Sequence, residues 1–222
     1  MSLPAPLKPF PFLLEIFQRN PMVRDTSNSS SISLWLEWRV VEDMAEPYSK
    51  MIEAEFSNGI VKTVSNDLSR EYLRKGFGVE EGEFIVYSPI EALYLVEMKK
   101  MIVRDHENKE LRFNDLLTIF SKINQNIWKE YIVYRDLRKR NYVVKDGFSS
   151  ELRFRIFDRG EFSEKPAKYL LAIVYEGRNA PIRKIVEWLE ICKNMKKELV
   201  LAVVDRRNEV VYYTVKMVDL KP

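Results

Sequence analysis

The second half of the chain limits the possible folds most, because short apolar segments there surround a single helical pattern. The runs Lys168 to Tyr175 and Leu199 to Val204 are strand-like. Between them, Pro181 to about Lys196 carries apolar residues at helical spacing. Further strands are predicted at Leu152 to Phe157 and at Val210 to Val218. This half therefore predicts a compact α/β module.

The first half predicts a smaller mixed unit of helices and strands. IEAEF and IVKTV flank an Asn-Gly pair at 58–59, which is the strongest short signal for a β-hairpin. Segment 88–91, Ser-Pro-Ile-Glu, combines an N-cap serine, a proline at the first helical position and a capping-box glutamate. It predicts a helix that runs to about Met101. Two further helical patterns cover Asn114 to Lys122 and Ile127 to Arg140.

These segments predict an α+β protein with two domains and an N-terminal extension. We expect the extension to cover residues 1–50, with a strand-like segment from Leu34 to Val41. A mixed α/β N-terminal domain should cover residues 51–125, and a compact α/β C-terminal domain residues 126–222. The boundary is predicted near residues 124–126.

Composition excludes several functional classes. The 36 Lys and Arg residues against 33 Asp and Glu give a net charge of only +3, so any nucleic-acid binding depends on local charge. Cys192 is the only cysteine and His106 the only histidine, which argues against a disulfide and against a zinc site. No apolar run has the length of a membrane span and no signal peptide is recognisable, so we expect a cytoplasmic protein.

Neither Cys192 nor His106 is predicted to have a chemical role. Cys192 continues the helical spacing of Ile182, Ile185 and Leu189, which indicates a position in the core. His106 lies in the turn-like segment RDHENKE, where a solvated histidine is expected.

From about Glu53 to Asp219 the chain resembles the archaeal tRNA-intron endonuclease family. The most specific block is YIVYRDLRKRNYVVKDG, in which a helix, a basic turn and a strand ending in VVKDG follow one another. The other matching blocks are LSREYLRKGFGVEEGEF, PIEALYLVE, FRIFDRGE, KYLLAIVY and KKELVLAVVDRRNEVVYYTV.

The resemblance implies a fold, a substrate and a chemistry. It implies an α/β N-terminal domain and an endonuclease-like C-terminal domain that assemble into dimers or tetramers. It further implies cleavage of precursor tRNA at bulge-helix-bulge motifs, with no metal or other cofactor, leaving 2',3'-cyclic phosphate and 5'-hydroxyl ends. Such cleavage needs a general base, a general acid and a cation near the phosphate. In the family a Tyr, a His and a Lys have these roles.

Two of these three positions are substituted in this chain. Phe157 ends the strand FRIF where the family has the Tyr, and Pro166 stands where the pattern HSEYLV has the His. Lys197 matches the family Lys, yet beside Lys196 it is also what a solvated helix end looks like. Glu190 occupies a position where the family commonly has an Arg that grips the substrate. The resemblance therefore implies a non-catalytic, structural subunit.

The turn before the last strand matches an acidic loop that, in the family, docks into a basic pocket of a neighbouring subunit. Asp205 and Glu209 retain acidic charge, whereas the two arginines between them make this turn less anionic. Tyr212 and Tyr213 lie on opposite faces of the following strand, as expected where one face is buried and the other contacts a partner. These four residues are the predicted docking residues.

Three hypotheses follow. The leading one is a structural subunit that pairs with a triad-bearing catalytic subunit in an α2β2 endonuclease acting on precursor tRNA. A second is a catalytic subunit with other residues in the roles, for instance Tyr169 or Tyr175 as base and a lysine as acid. A third is a stand-alone RNA-binding protein that uses the basic cluster at 135–140. A metal-dependent nuclease finds no support, because no convincing pair of carboxylates stands on adjacent strands.

Overall fold

A computed structural model describes residues 51–177 and 181–218, all of which belong to one compact unit of the chain. The predicted extension over residues 1–50, including the strand at Leu34 to Val41, lies outside the described residues. Within the described ranges, no helix is long and apolar enough to cross a bilayer.

The N-terminal part forms a six-stranded sheet in the order β3-β4-β2-β1-β5-β6. The predicted hairpin is confirmed, with strands on both sides of the Asn-Gly turn pairing antiparallel. The strands are β1 (Ile52–Ser57), β2 (Ile60–Val64), β3 (Val79–Glu81), β4 (Phe84–Tyr87), β5 (Met101–Arg104) and β6 (Glu110–Leu111). The helices are α1 (Asp67–Arg74), α2 (Pro89–Glu97) and α3 (Phe113–Ile123).

The C-terminal part forms a five-stranded sheet in the order β11-β10-β9-β8-β7, so the predicted α+β class with two sheet-bearing domains is confirmed. β9 and β10 are parallel, and the other neighbouring pairs are antiparallel. The strands are β7 (Val143–Asp146), β8 (Phe154–Phe157), β9 (Tyr169–Tyr175), β10 (Glu198–Val204) and β11 (Val210–Val215). The helices are α4 (Ile127–Lys139) and α5 (Ile182–Asn194).

The predicted start of α2 is confirmed, but its predicted end is wrong. The Ser88 hydroxyl accepts a hydrogen bond from the Glu91 N–H, and the Glu91 carboxylate accepts one from the Ser88 N–H. The helix ends at Glu97 and not at about Met101, because the chain turns through Lys99 at positive φ and Met101 enters β5. β5 pairs with β1 in parallel, and this pairing outweighs helix propensity.

Successive residues of β9 and β10 face two different apolar clusters, one on each side of the sheet. Leu171 and Ala202 belong to the large cluster that α4 and the N-terminal part share. Leu170 and Leu201 pack with Cys192 on α5, which confirms that Cys192 is a core residue. The prediction that Ile182 shares this buried stripe is wrong, because Ile182 stands at the first turn of α5 with 79% of its surface exposed.

A buried ion pair joins the two parts. The Lys145 ammonium on β7 lies 2.7 Å from the Glu91 carboxylate, and their side chains are 12% and 4% exposed. The same ammonium donates to the carbonyl of Gly78, and Glu91 also accepts from the Gly78 N–H. One lysine of the C-terminal sheet therefore binds both the helix cap and the loop before β3.

Candidate functional site

The three positions singled out in the sequence converge at one end of the C-terminal sheet. Phe157 ends β8, Pro166 lies in the loop before β9, and Lys197 directly precedes β10. Two backbone hydrogen bonds connect these strand ends, from Lys168 N–H to the Ile156 carbonyl and from Glu198 N–H to the Lys168 carbonyl, both 3.0 Å. The fold thus brings the strand ends that carry Phe157 and Lys197, and the loop that carries Pro166, to one place.

Phe157 contributes a ring with no hydroxyl to this site. Phe154 and Ile156 are buried, whereas Arg155 and Phe157 are half-buried on the other face of β8, as the alternation predicts. The ring of Phe157 packs edge-to-face on Phe162, with 4.9 Å between centroids. The partner of this strand-end ring is thus an aromatic residue of the loop that follows β8.

Lys197 is half-buried and bound to the chain. Its ammonium donates a hydrogen bond to the carbonyl of Ala167 at 2.5 Å, next to the exposed Pro166. The backbone N–H of Lys197 donates to the Cys192 carbonyl at 2.8 Å. The ammonium is therefore directed at a backbone carbonyl and not at solvent alone.

A second lysine at this end of the sheet is held as a cation. Lys168 lies 3.2 Å from Asp158, and its ammonium stands over the Tyr169 ring. Interaction with Tyr169 and then with Asp158 raises the pKa of Lys168 above its usual range. A lysine whose pKa is raised is a poorer proton donor near neutral pH.

Tyr175, the second candidate base, lies at the opposite end of β9. Six residues separate it from Tyr169, which corresponds to about 20 Å along a strand. Together with Phe148, Arg153 and Trp188, it lines a cavity of about 560 Å³. Tyr175 cannot reach a group that reacts beside Phe157 or Lys197.

One acidic side chain of the turn between β10 and β11 forms hydrogen bonds within the turn itself. The Asp205 carboxylate accepts hydrogen bonds from the backbone N–H groups of Arg207 (2.8 Å) and Glu209 (2.7 Å). Asn208 has a φ of 65°, which closes the turn. Arg206, Arg207 and Glu209 are exposed, so this turn presents both signs of charge to a neighbour.

The two tyrosines of β11 face opposite ways, as the alternation predicts. The Tyr212 hydroxyl donates to Asp136 on α4 at 2.9 Å, and its ring lies under the Arg140 guanidinium. Tyr213 points outward with 54% of its surface exposed, beside the similarly exposed Val211. Tyr213 is therefore exposed to solvent, and Tyr212 connects β11 to α4.

Two family models match almost the whole described region. Residues 52–117 match the tRNA intron endonuclease N-terminal domain, and residues 127–212 match the tRNA intron endonuclease catalytic C-terminal domain. The chain belongs to the tRNA intron endonuclease family. Two curated members are similar to this chain over most of their own length. A tRNA-splicing endonuclease of Methanococcus vannielii is 33% identical over 80% of this chain and 99% of that protein. One of Thermococcus onnurineus is 33% identical over 68% and 86%.

Three of the four cations of the basic cluster on α4 have partners within the chain. Arg135 pairs with Glu97 at 3.0 Å, and Arg140 pairs with Asp136 at 2.9 Å. The Arg138 guanidinium stacks 3.7 Å from the centre of the Phe77 ring and donates to the Lys75 carbonyl. Arg135 and Arg138 therefore connect α4 to the N-terminal part, whereas Arg140 forms an ion pair within α4 itself.

Sequence reasoning missed two residues that shape this endonuclease scaffold. Lys145 stands in the family block VVKDG, but its partner Glu91 is 54 residues away, so no local pattern connects them. Phe162 lies in a loop with no periodicity, and only the aromatic character of the segment EFSEK distinguished it. Both contacts depend on tertiary structure.

Proposed function

We propose that this chain is the structural, non-catalytic subunit of a cytoplasmic tRNA-splicing endonuclease. It pairs with a triad-bearing catalytic subunit in an α2β2 assembly, and the assembly removes introns from precursor tRNA at bulge-helix-bulge motifs. The products carry 2',3'-cyclic phosphate and 5'-hydroxyl ends. The observation that supports the proposal is that Phe157 and Pro166, which align with the family's base and acid, lie with Lys197 at connected strand ends and carry no side-chain proton to transfer.

The size of the rate contributions from a general acid and a general base favours an inactive site in this chain. A general acid or base typically contributes about 10²- to 10⁴-fold to a rate, so losing both leaves little catalysis. A phenylalanine and a proline have no side-chain proton to transfer. The remaining cation of Lys197 is directed at the carbonyl of Ala167. Each of the three positions thus supports a scaffold role.

The docking role is assigned to the turn at 205–209 and to β11. Asp205 shapes the turn through its hydrogen bonds, and exposed Glu209 offers the acidic contact to a partner. Tyr213 supplies an exposed aromatic anchor, of the type enriched where subunits bind. Tyr212 contributes indirectly, because its contact with Asp136 fixes the strand that carries Tyr213.

A catalytic alternative would use Tyr169 as base and Lys168 as acid, since both lie at the correct end of the sheet. The raised pKa of Lys168 disfavours it as a proton donor. A stand-alone RNA-binding role through the α4 cluster is disfavoured because three of its four cations are bound within the chain.

Cleavage by the purified chain, alone and mixed with the triad-bearing homologue of the same organism, tests the proposal. We expect no cleavage of a bulge-helix-bulge RNA by the chain alone, and cleavage with cyclic phosphate ends after mixing. Cleavage by the chain alone would contradict the proposal. Tight, salt-dependent RNA binding with no gain on mixing would favour the RNA-binding alternative.

A further inference from the structure

The loop between β8 and β9, residues 158–166, is folded on itself. The N–H of Glu161 donates to the Asp158 carbonyl, and those of Glu164 and Lys165 donate to the Glu161 carbonyl at 3.1 and 2.9 Å. Lys165 also pairs with the Glu161 carboxylate at 2.6 Å. The loop therefore consists of consecutive hydrogen-bonded turns.

The folded loop is fastened to the rest of the chain at three places. At its base, Asp158 pairs with Lys168. Beside it, the Arg159 guanidinium stands 5.0 Å from the centre of the Tyr142 ring, between α4 and β7. In its middle, Phe162 packs edge-to-face on Phe157.

Phe162 also touches the N-terminal part of the structure. Gly76 has a φ of +81°, and a β-carbon built there would lie 3.4 Å from two Phe162 ring carbons and 2.3 Å from a Val143 methyl. The ring of Phe162 therefore fits beside a residue that has no side chain. Gly76 lies two residues after the end of α1, so this packing connects the region around Phe157 to the N-terminal domain.

We propose that the loop at 158–166 is a clamp that holds the two domains together. In this clamp, the Phe162 ring packs on Phe157 of the C-terminal domain and lies beside Gly76 of the N-terminal domain. An aromatic ring on Phe157 favours this packing, since it gives Phe162 an apolar edge-to-face partner. Within this clamp, Phe157 has a structural role, because its ring is the packing partner of Phe162. The inference concerns this chain alone and holds whether or not a catalytic partner exists.

Hydrogen exchange of backbone amides in the full chain tests the clamp. In the unmodified protein, we expect the hydrogen-bonded amides of Glu161, Glu164 and Lys165 to exchange at least about tenfold more slowly than those of an unstructured peptide. Phe162→Ala should accelerate exchange at least tenfold both in this loop and at 76–78. Phe148→Ala, which truncates an exposed aromatic at the other end of the sheet, should change neither segment.

Each other outcome would overturn the proposal. Exchange of the loop at the rate of a free peptide in the unmodified chain shows that no clamp exists, and this result needs no variant. Acceleration of the loop in Phe162→Ala without acceleration at 76–78 shows that Phe162 does not connect the domains. If Phe162→Ala fails to fold, Phe162→Leu retains apolar volume and must accelerate both segments together.

Discussion

The ammonium of Lys197 and the carbonyl of Ala167 form a hydrogen bond of 2.5 Å across the end of the C-terminal sheet. Ala167 directly follows Pro166, which the sequence pattern aligns with the family's acid. Lys197, which the same pattern aligns with the family's lysine, therefore donates to the backbone beside Pro166. Because Lys197 takes part in this hydrogen bond, a structural role and a catalytic role predict different effects of replacing it.

Replacing Lys197 should reduce stability more than activity. Lys197→Ala leaves the Ala167 carbonyl without this donor, which should lower the free energy of unfolding by about 1–3 kcal/mol in urea titrations. Cleavage by the assembled endonuclease should fall less than about tenfold, whereas loss of a transition-state donor costs about 10²- to 10³-fold. Lys193→Ala, at an exposed lysine of α5, is the control and should change neither quantity. A loss of activity of that larger size would make Lys197 catalytic.

Breaking the Lys145–Glu91 pair should be the most damaging single change between the domains. Lys145→Met leaves the buried Glu91 carboxylate without its cation, and we expect the free energy of unfolding in urea titrations to fall by about 3–5 kcal/mol. Lys75→Met breaks the exposed Lys75–Glu71 pair and should cost less than about 1 kcal/mol. Adding Glu91→Gln to Lys145→Met should cost less than the sum of the single changes, because the stranded charge is removed. Equally small losses of stability in Lys145→Met and Lys75→Met would contradict a stabilising role for the buried Lys145–Glu91 pair.

Stability should fall with rising pH above about 10, partly through Tyr212. Burial, and then the nearby Asp136 carboxylate, raise the pKa of Tyr212 well above its ordinary value of 10.0. Above pH 10 the unfolded chain releases this proton and the folded chain keeps it, so its stabilising contribution is complete below pH 10 and declines above it. Tyr212→Phe should make urea midpoints less dependent on pH between 9 and 11. Tyr213→Phe, at an exposed position, is the control, and identical slopes for both variants would contradict this assignment.

Truncating Tyr213 should weaken subunit assembly without unfolding the chain. Loss of an aromatic anchor from an interface commonly costs more than about 1 kcal/mol, so Tyr213→Ala should weaken binding to the catalytic subunit at least about tenfold in calorimetry. Ile182→Ala removes an apolar group of α5 that is even more exposed than Tyr213 and should leave binding unchanged. Normal binding by Tyr213→Ala would exclude β11 from the interface.

Local signals predicted the elements that depend on local chemistry. The Asn-Gly hairpin and the Ser88 capping box are specified within a few residues, and both are observed. The end of α2 was missed because Met101 is recruited by pairing with Ile52, a contact across the sheet. Periodicity also placed Ile182 in the core, although it stands at the end of its helix where no neighbour covers it.

The candidate site was predictable in position but not in its contacts. The strand ends at Phe157 and Lys197 follow from apolar runs, and the family pattern aligned Pro166 with them. The packing of Phe162 between Phe157 and Gly76 was not predictable, because Gly76 lies 86 residues before Phe162 in the chain. Long-range contacts of this kind decide what a substituted residue does.

The central claim is that catalysis resides on the partner subunit, and single-turnover cleavage by paired mixed assemblies tests it most directly. One assembly joins this chain, unmodified, to a partner whose catalytic histidine is replaced; the other joins Phe157→Ala to an unmodified partner. We predict that the first loses at least about 10²-fold in cleavage rate and that the second stays within about tenfold of the unmodified assembly. Full activity in the first assembly, or a collapse in the second despite normal assembly, would contradict a structural role for this chain.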